Sequence, residues 1–90
     1  MDHKTLAAHI LQALTLAQVE GRAENLATLV DKLRVRRKDV RSTLTMLHRQ
    51  GMLDVLTMRL SLAGFAIGTA LLGQALPALR KAPRSAIVAA

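Results

Sequence analysis

The residues best suited to bind a polyanion are concentrated between positions 34 and 49. Six of the thirteen Lys and Arg residues fall in this stretch, which contains Asp39 as its single acidic residue. Arg and Lys donate hydrogen bonds to phosphate oxygens and to the O6 and N7 acceptors of guanine, and Ser and Thr hydroxyls bind either bases or phosphates. This stretch therefore has the chemistry of a nucleic-acid contact.

A helix predicted over about residues 36–50 positions these side chains. Val40, Leu44 and Leu47 recur at i, i+4 and i+7 and are expected to face the core. At about 100° per residue, the opposite face carries the residues that we predict to contact DNA in the major groove: Lys38, Arg41, Ser42, Thr45 and Arg49. Phosphates that flank the groove are expected to meet the cations at the helix entry, Arg34, Arg36 and Arg37.

The charge and composition of the whole sequence agree with a duplex-DNA partner. The 90 residues carry a formal net charge of +7, which favours a polyanion such as nucleic acid or an anionic membrane surface. Phe65 is the only aromatic residue, which argues against the stacking platforms that bind RNA and single strands. Because there is no Cys, disulfides and thiolate metal sites are excluded, and a cytoplasmic, nucleoid-associated location is predicted.

No arrangement of residues indicates a catalytic or metal centre. The three His residues, His3, His9 and His48, lack metal-ligand spacing, and His48 neighbours the basic face of its helix, where it can touch a phosphate. The sequence contains no Gly-rich phosphate loop, paired-carboxylate arrangement or Ser-His-Asp order above chance. We therefore predict a protein that is not an enzyme and that needs no cofactor and no metal.

Two amphipathic helices are predicted before the basic helix. Asp2 can cap a first helix that runs to about Glu20, and Gly21 can end it. A second helix over about residues 24–33 has apolar residues at i, i+3, i+4 and i+7, namely Leu26, Leu29, Val30 and Leu33. A short connection at residues 34–36 then leads into the basic helix, which is predicted to end at Gly51.

Short strands and an apolar helix are predicted for the rest of the chain. Residues 52–57 and 58–62 have the character of two extended pieces, without an Asn-Gly or Asp-Gly turn between them. A helix is expected from Ala63 to about Leu79, with Pro77 kinking or ending its last turn. These elements give one predicted domain, residues 1–81, followed by a mobile tail at residues 82–90.

The register of the apolar positions and two short motifs carry a family resemblance. Gly51-Met52-Leu53 stands where winged-helix regulators have Gly-Leu-Val, and Leu60-Ser61-Leu62-Ala63-Gly64 is similar to their Leu-Thr-x-x-Gly segment. The buried positions of a helix-turn-helix are taken by Leu29, Leu33, Val35, Val40, Leu44 and Leu47. Residues 26–64 therefore resemble bacterial winged helix-turn-helix transcription regulators of the MarR or ArsR type.

This resemblance implies both a fold and a function. The expected fold is mainly α with a minimal β-hairpin, a winged helix-turn-helix with flanking N- and C-terminal helices. The expected function is a sequence-specific transcription regulator that binds duplex DNA as a homodimer. Two features depart from the family: Arg34 stands where members have Gly, and the wing is truncated, leaving Arg59 as the sole cation that it offers to DNA.

The apolar segment at residues 60–79 permits other interpretations. It contains twenty uncharged residues, enough to cross a bilayer at about 1.5 Å per residue, and it includes Gly64-x-x-x-Gly68. We favour a dimerisation role, because a helix apolar nearly all round must be buried on more than one side. The predicted dimer contacts are Leu6, Ile10, Leu14, Phe65, Leu72 and Leu76. A small membrane protein and a winged-helix module that binds an acidic protein remain the alternatives.

Overall fold

The computed structural model describes residues 3–79, which form four helices and two short strands. In chain order these are α1 (His3–Val19), α2 (Leu26–Leu33), α3 (Arg37–Arg49), β1 (Leu53–Asp54), β2 (Arg59–Leu60) and α4 (Leu62–Leu71). The prediction of a mainly helical fold with a small antiparallel hairpin is confirmed. The predicted cap at Asp2 and the predicted mobile tail at residues 82–90 lie outside the described residues.

Helix α1 supplies much of the core. Leu6, Ile10 and Leu14 lie along one of its faces and are almost completely buried, in the same cluster as Leu29 of α2 and Val40 of α3. This burial corrects the prediction that the three α1 residues contact a second copy of the chain. Their side chains complete the core of a single chain, because α2 and α3 pack on the face that we expected to be free.

Helix α2 begins at Leu26, two residues later than predicted. Asn25 is its N-cap: the side chain accepts a hydrogen bond from the N–H of Thr28 at 2.9 Å, and Thr28 Oγ1 accepts from the N–H of Asn25 at 2.8 Å. This reciprocal capping box satisfies donors that the first helical turn leaves free. Glu24, predicted to be helical, instead lies before the cap with its carboxylate buried.

The connection between α2 and α3 is tight. Arg34 takes the left-handed conformation, with φ 55° and ψ 47°, and its N–H donates to the carbonyl of Val30 at 2.9 Å. Val35 is then buried, and α3 turns Val40, Leu44 and Leu47 into the core as predicted. Gly51, with φ +75°, follows the C-terminus of α3.

The hairpin is short and its loop is irregular. Leu53 pairs with Leu60 and Asp54 with Arg59, so each strand has only two residues, fewer than predicted. The loop closes with the N–H of Met58 on the carbonyl of Asp54 at 2.7 Å and the N–H of Leu56 on Asp54 Oδ1 at 2.9 Å. The side chain of Asp54 thus stabilises a loop that has no Asn-Gly or Asp-Gly turn.

Helix α4 begins after Ser61, whose Oγ accepts from the N–H of Gly64 at 3.1 Å, and it ends at Leu71. The prediction that it continues to about Leu79 is wrong. Gln12 of α1 donates to the carbonyl of Leu71 at 2.8 Å and thereby satisfies an acceptor at the helix end. Gly73 has low helix propensity, and Pro77 cannot donate to a helical ladder.

Helix α4 is shorter than the predicted apolar span of residues 60–79. Within residues 3–79, no helix has the length and apolar character needed to cross a bilayer. The ten residues of α4 reach about 15 Å, half the thickness of a hydrocarbon core. Gly64 and Gly68 pack instead inside the chain, where a Cβ would collide with Met52 O and with Thr15 Oγ1, respectively.

Candidate nucleic-acid interface

Helix α3 has one buried side and one polar, exposed side. Its buried residues are Val40, Thr43, Leu44 and Leu47. The five residues predicted to enter the groove are all exposed: Lys38, Arg41, Ser42, Thr45 and Arg49. Four of them recur at i, i+4, i+7 and i+11 from Lys38, so they form a stripe about 16 Å long on the side opposite the core.

The cations near this stripe are available to an external anion. Within residues 3–79, the ion pairs are formed by Arg22 and Lys32 with Glu20 and Glu24, well before α3 in the chain. No carboxylate of that region pairs with the α3 cations or with those at its entry, which are Arg34, Arg36, Arg37, Lys38, Arg41 and Arg49. All six of these side chains are exposed.

The start of α3 differs from the starts of α2 and α4. Asn25 and Ser61 cap those two helices with their side chains, whereas Arg36, the N-cap of α3, makes no side-chain capping bond. The N–H of Asp39 donates to the carbonyl of Arg36 at 3.0 Å, but the N–H groups of Arg37 and Lys38 have no acceptor among residues 3–79. A phosphate oxygen is a suitable acceptor, since the positive end of the helix dipole also favours an anion.

The two hydroxyl groups on the stripe are not equivalent. Thr45 Oγ1 donates to the carbonyl of Arg41 at 3.0 Å, so its proton is already used and only its lone pairs remain. Ser42 makes no hydrogen bond to any residue between 3 and 79 through its hydroxyl, which can still donate and accept. Ser42 is thus the more versatile group for reading a base edge.

Arg59 lies apart from the α3 stripe. It is exposed on β2 and faces Asp54 across the hairpin. Together with Gln18 of α1 and Thr57 of the hairpin loop, it lines a cavity of about 400 Å³. The lining of that cavity includes none of the α3 residues, so the structure groups Arg59 with α1.

Two α3 residues, Thr43 and His48, have contacts that differ from the predicted ones. Thr43 is buried and donates to the carbonyl of Asp39 at 2.8 Å; its position three residues after Val40 was a signal for the core face. His48 contacts the backbone of β1 through Nδ1. No sequence pattern indicated that contact, because it depends on how the hairpin packs against α3.

The apolar surface available to a second chain differs from the predicted one. Phe65, Leu72 and Leu76 are half-buried, and Leu72 and Leu76 lie beyond the end of α4. The exposed side of α4 is formed by Leu62, Ala63, Ala66, Ile67, Thr69 and Ala70. Leu62, with 87% of its surface exposed, is the most prominent of these side chains. The sequence pattern missed this side because it assumed a longer helix.

Comparison with known proteins gives no family assignment. The chain matched no protein-family model, no curated protein and no solved structure. The resemblance of residues 26–64 to winged-helix regulators therefore stays a prediction, and the charge and geometry of α3 carry the functional proposal.

Proposed function

We propose that this chain binds duplex DNA with α3 in the major groove, as a winged helix-turn-helix transcription regulator in the cytoplasm. The observation that carries the proposal is the exposed basic stripe of α3, opposite a fully packed apolar side. An α-helix fits the major groove, which is about 12 Å wide, and Arg, Lys and Ser are residue types that read base edges there.

The cations and hydroxyls of α3 are proposed to have two roles, contact with base edges and contact with phosphates. Lys38, Ser42 and Arg49 lie along the middle of the exposed side, so they are the residues proposed to meet base edges. Arg36 and Arg37 stand at the uncapped start of α3, where a phosphate would complete the hydrogen bonding of the helix and meet two guanidinium groups. Phosphate contacts of this kind fix the register of a protein on the duplex.

The conformation of Arg34 gives further support. A non-glycine residue in the left-handed region costs about 1 kcal/mol relative to Gly, and the Arg34 side chain is exposed without an ion pair to residues 3–79. No ion pair within residues 3–79 therefore accounts for Arg at this position. A phosphate contact beside the entry of α3 gives the guanidinium a role that Gly could not have.

A homodimer is part of the proposal, with its interface on the exposed side of α4. Among the described helices, α4 alone has no charged residue, whereas the chain as a whole carries a net charge of +7. Two copies that meet through α4 would bury Leu62 and Ile67 without opposing any cations of the helix itself. A two-fold dimer would present two α3 stripes to half-sites about one DNA turn apart.

Binding of variants to a labelled duplex tests the α3 interface. Lys38→Gln and Arg41→Gln each remove one cation from the exposed side of α3, and Lys4→Gln removes one cation from α1 as the control. We expect the two α3 variants to weaken binding by about fivefold to tenfold each and the control to weaken it by less than about twofold. Equal losses for all three variants would show that only net charge matters and that α3 is not the interface.

Selection from a random duplex pool tests sequence specificity and the dimer together. A homodimeric regulator selects inverted half-sites separated by about 10 base pairs, because the two-fold axis of the protein is imposed on its site. Leu62→Glu is expected to reduce the selected motif to one half-site and to leave the chain monomeric in sedimentation. Recovery of unrelated sequences, with tight binding to an acidic protein instead, would favour the protein-interaction alternative.

A further inference from the structure

The side chain of His48 joins α3 to the hairpin. Its Nδ1 lies 3.3 Å from the backbone nitrogen of Val55, whose N–H donates to it, and 3.2 Å from the carbonyl oxygen of Leu53. One ring nitrogen therefore contacts a backbone donor and a backbone acceptor of the same chain segment. The His48 side chain is otherwise exposed, beside the basic stripe.

The ladder of the hairpin explains why these two backbone groups face α3. Ser61 donates its N–H to the carbonyl of Met52, one step along the ladder from the paired Leu53 and Leu60. Hydrogen-bonded and non-hydrogen-bonded pairs alternate in an antiparallel ladder, so Leu53 and Leu60 form a non-hydrogen-bonded pair. The carbonyl of Leu53 and the N–H of Val55 consequently point away from β2. They meet the imidazole of His48 at the edge of the hairpin, where the backbone of a third strand could otherwise pair.

Nδ1 can serve only one of these two partners at a time. When it accepts the N–H of Val55, the ring is neutral and carries its proton on Nε2. When it donates to the carbonyl of Leu53, the ring is either the imidazolium, with Nε2–H as well, or the other neutral tautomer. Nε2 is therefore a donor in two of the three forms of His48, and it makes no hydrogen bond within residues 3–79.

We propose that His48 is a further phosphate-binding residue of the α3 interface, with Nδ1 held by the hairpin edge and Nε2–H donated to DNA. This inference rests on the proposed DNA-binding function. His48 lies seven residues after Arg41, on the same side of α3, and it is the chain neighbour of Arg49. A phosphate accepts a hydrogen bond only from the ring forms that carry Nε2–H, and its negative charge favours the imidazolium among them. DNA binding is therefore linked to proton uptake by His48.

The charged groups around His48 offer no competing partner. Arg41 and Arg49 on its own helix carry the same charge as the imidazolium. The hairpin contributes Asp54, whose side chain alternates to the side opposite Leu53, and Asp54 Oδ1 already accepts from the N–H of Leu56. No carboxylate of residues 3–79 forms an ion pair with the imidazole.

The test compares duplex affinity at about pH 8 and about pH 5.8, over a salt series, for wild type, His48→Gln and His9→Gln. His9 is the matched control, because it lies on α1 and not on α3. Its Nε2 contacts the carbonyl oxygen of Pro77. Acidification is expected to tighten binding of wild type and His9→Gln by about threefold to tenfold at low salt. It should also steepen their log–log salt slope by about 0.9, the value of one added phosphate contact. His48→Gln is expected to show neither change.

Two outcomes separate this inference from the proposed function. If wild type and His48→Gln bind duplex tightly and respond equally to pH, the role of His48 is overturned and the α3 interface stands. If no variant binds duplex at either pH, both proposals fail. A titration of the imidazole nitrogens by NMR gives a second readout: added duplex should move the midpoint of His48 to higher pH, and an unchanged midpoint contradicts the proposal.

Discussion

Gly68 of α4 lies so close to α1 that a Cβ at this position would collide with Oγ1 of Thr15. The same Cβ would lie 3.0 Å from the carbonyl oxygen of Leu11, to which Thr15 Oγ1 donates at 2.6 Å. Thr15 is fully buried and tied to its own helix, so it cannot easily move aside. The absence of a side chain at Gly68 therefore sets the distance between α1 and α4.

Gly68→Ala is expected to destabilise the fold by about 2–3 kcal/mol, because overpacking forces either a rotamer change at Thr15 or a separation of the helices. Gly73→Ala is the matched control, since a Cβ there meets nothing within 4 Å. Urea denaturation of both variants measures the difference in free energy of unfolding. Thr15→Ala combined with Gly68→Ala should recover part of the loss; equal stability of the Gly68 and Gly73 variants would refute the close packing.

Arg34→Gly is expected to raise stability and lower DNA affinity. Gly relieves about 1 kcal/mol of backbone strain at φ 55°, which raises Tm by about 4–8 °C in a domain of this size. Loss of the guanidinium should weaken duplex binding severalfold. Arg36→Gly is the control, because Arg36 has φ −65° and gains nothing from Gly. A Tm for Arg34→Gly below that of wild type would show that the left-handed conformation of Arg34 does not strain the backbone.

The buried carboxyl of Glu24 links stability to pH. Burial acts to raise its pKa, but hydrogen bonds from Lys32 and Thr28 and the charges of Lys32 and Arg22 outweigh it and lower the pKa below 4.5. A lowered pKa in the folded state means that the ionised carboxyl stabilises the fold fully above about pH 4.5. That contribution is lost as the pH falls through the lower, folded value. In urea denaturation, the free energy of unfolding of Glu24→Gln should therefore decrease less than that of wild type as the pH falls below about 4.5.

Lys32→Met is expected to destabilise the fold more than Glu24→Gln does. The Glu24 side chain is 2% exposed, whereas Lys32 is 44% exposed and can turn into solvent when its partner is lost. Removal of Lys32 leaves the buried carboxylate with Arg22 as its remaining ion-pair partner among residues 3–79, and we expect a cost of about 1–3 kcal/mol at pH 7. The reverse order of the two variants in thermal melts would show that the carboxylate is not the desolvated partner.

The hydroxyls of the stripe should differ in their effect on sequence discrimination. Ser42→Ala removes a free donor and acceptor and is expected to weaken binding to a selected site by about fivefold to tenfold more than to random duplex. Thr45→Val removes a hydroxyl whose proton is already bound to Arg41 O, so a smaller loss is expected. Anisotropy titrations with both duplexes measure the ratio. Equal losses on the two duplexes would place Ser42 at a phosphate.

The sequence predicted the α3 stripe well because it depends on local periodicity alone. Val40, Leu44 and Leu47 define the buried side, and helical geometry then assigns the exposed residues. The end of α4 was not predictable in the same way. It depends on Gln12, fifty-nine positions before Leu71, whose amide satisfies the carbonyl at the helix end.

The burial of three predicted dimer contacts in the core of their own chain could not be predicted, for a related reason. An apolar face on α1 has the same pattern whether it is covered by α2 and α3 or by a second chain, so Leu6, Ile10 and Leu14 could not be assigned from periodicity. The contact of His48 with β1 likewise requires the hairpin register. Only the packed chain determines that Leu53 and Val55 turn their free backbone groups towards α3.

The salt dependence of duplex binding tests the central proposal most directly. Wild type is compared with Lys38→Gln/Arg41→Gln/Arg49→Gln over a range of about 50 to 300 mM salt, with unfolding curves to confirm that both fold. The triple variant has three fewer cations to neutralise the DNA, so it is expected to show a shallower log–log slope than the steep slope of wild type, with greatly weakened affinity. Equal slopes and affinities for the two proteins would contradict a DNA interface on α3.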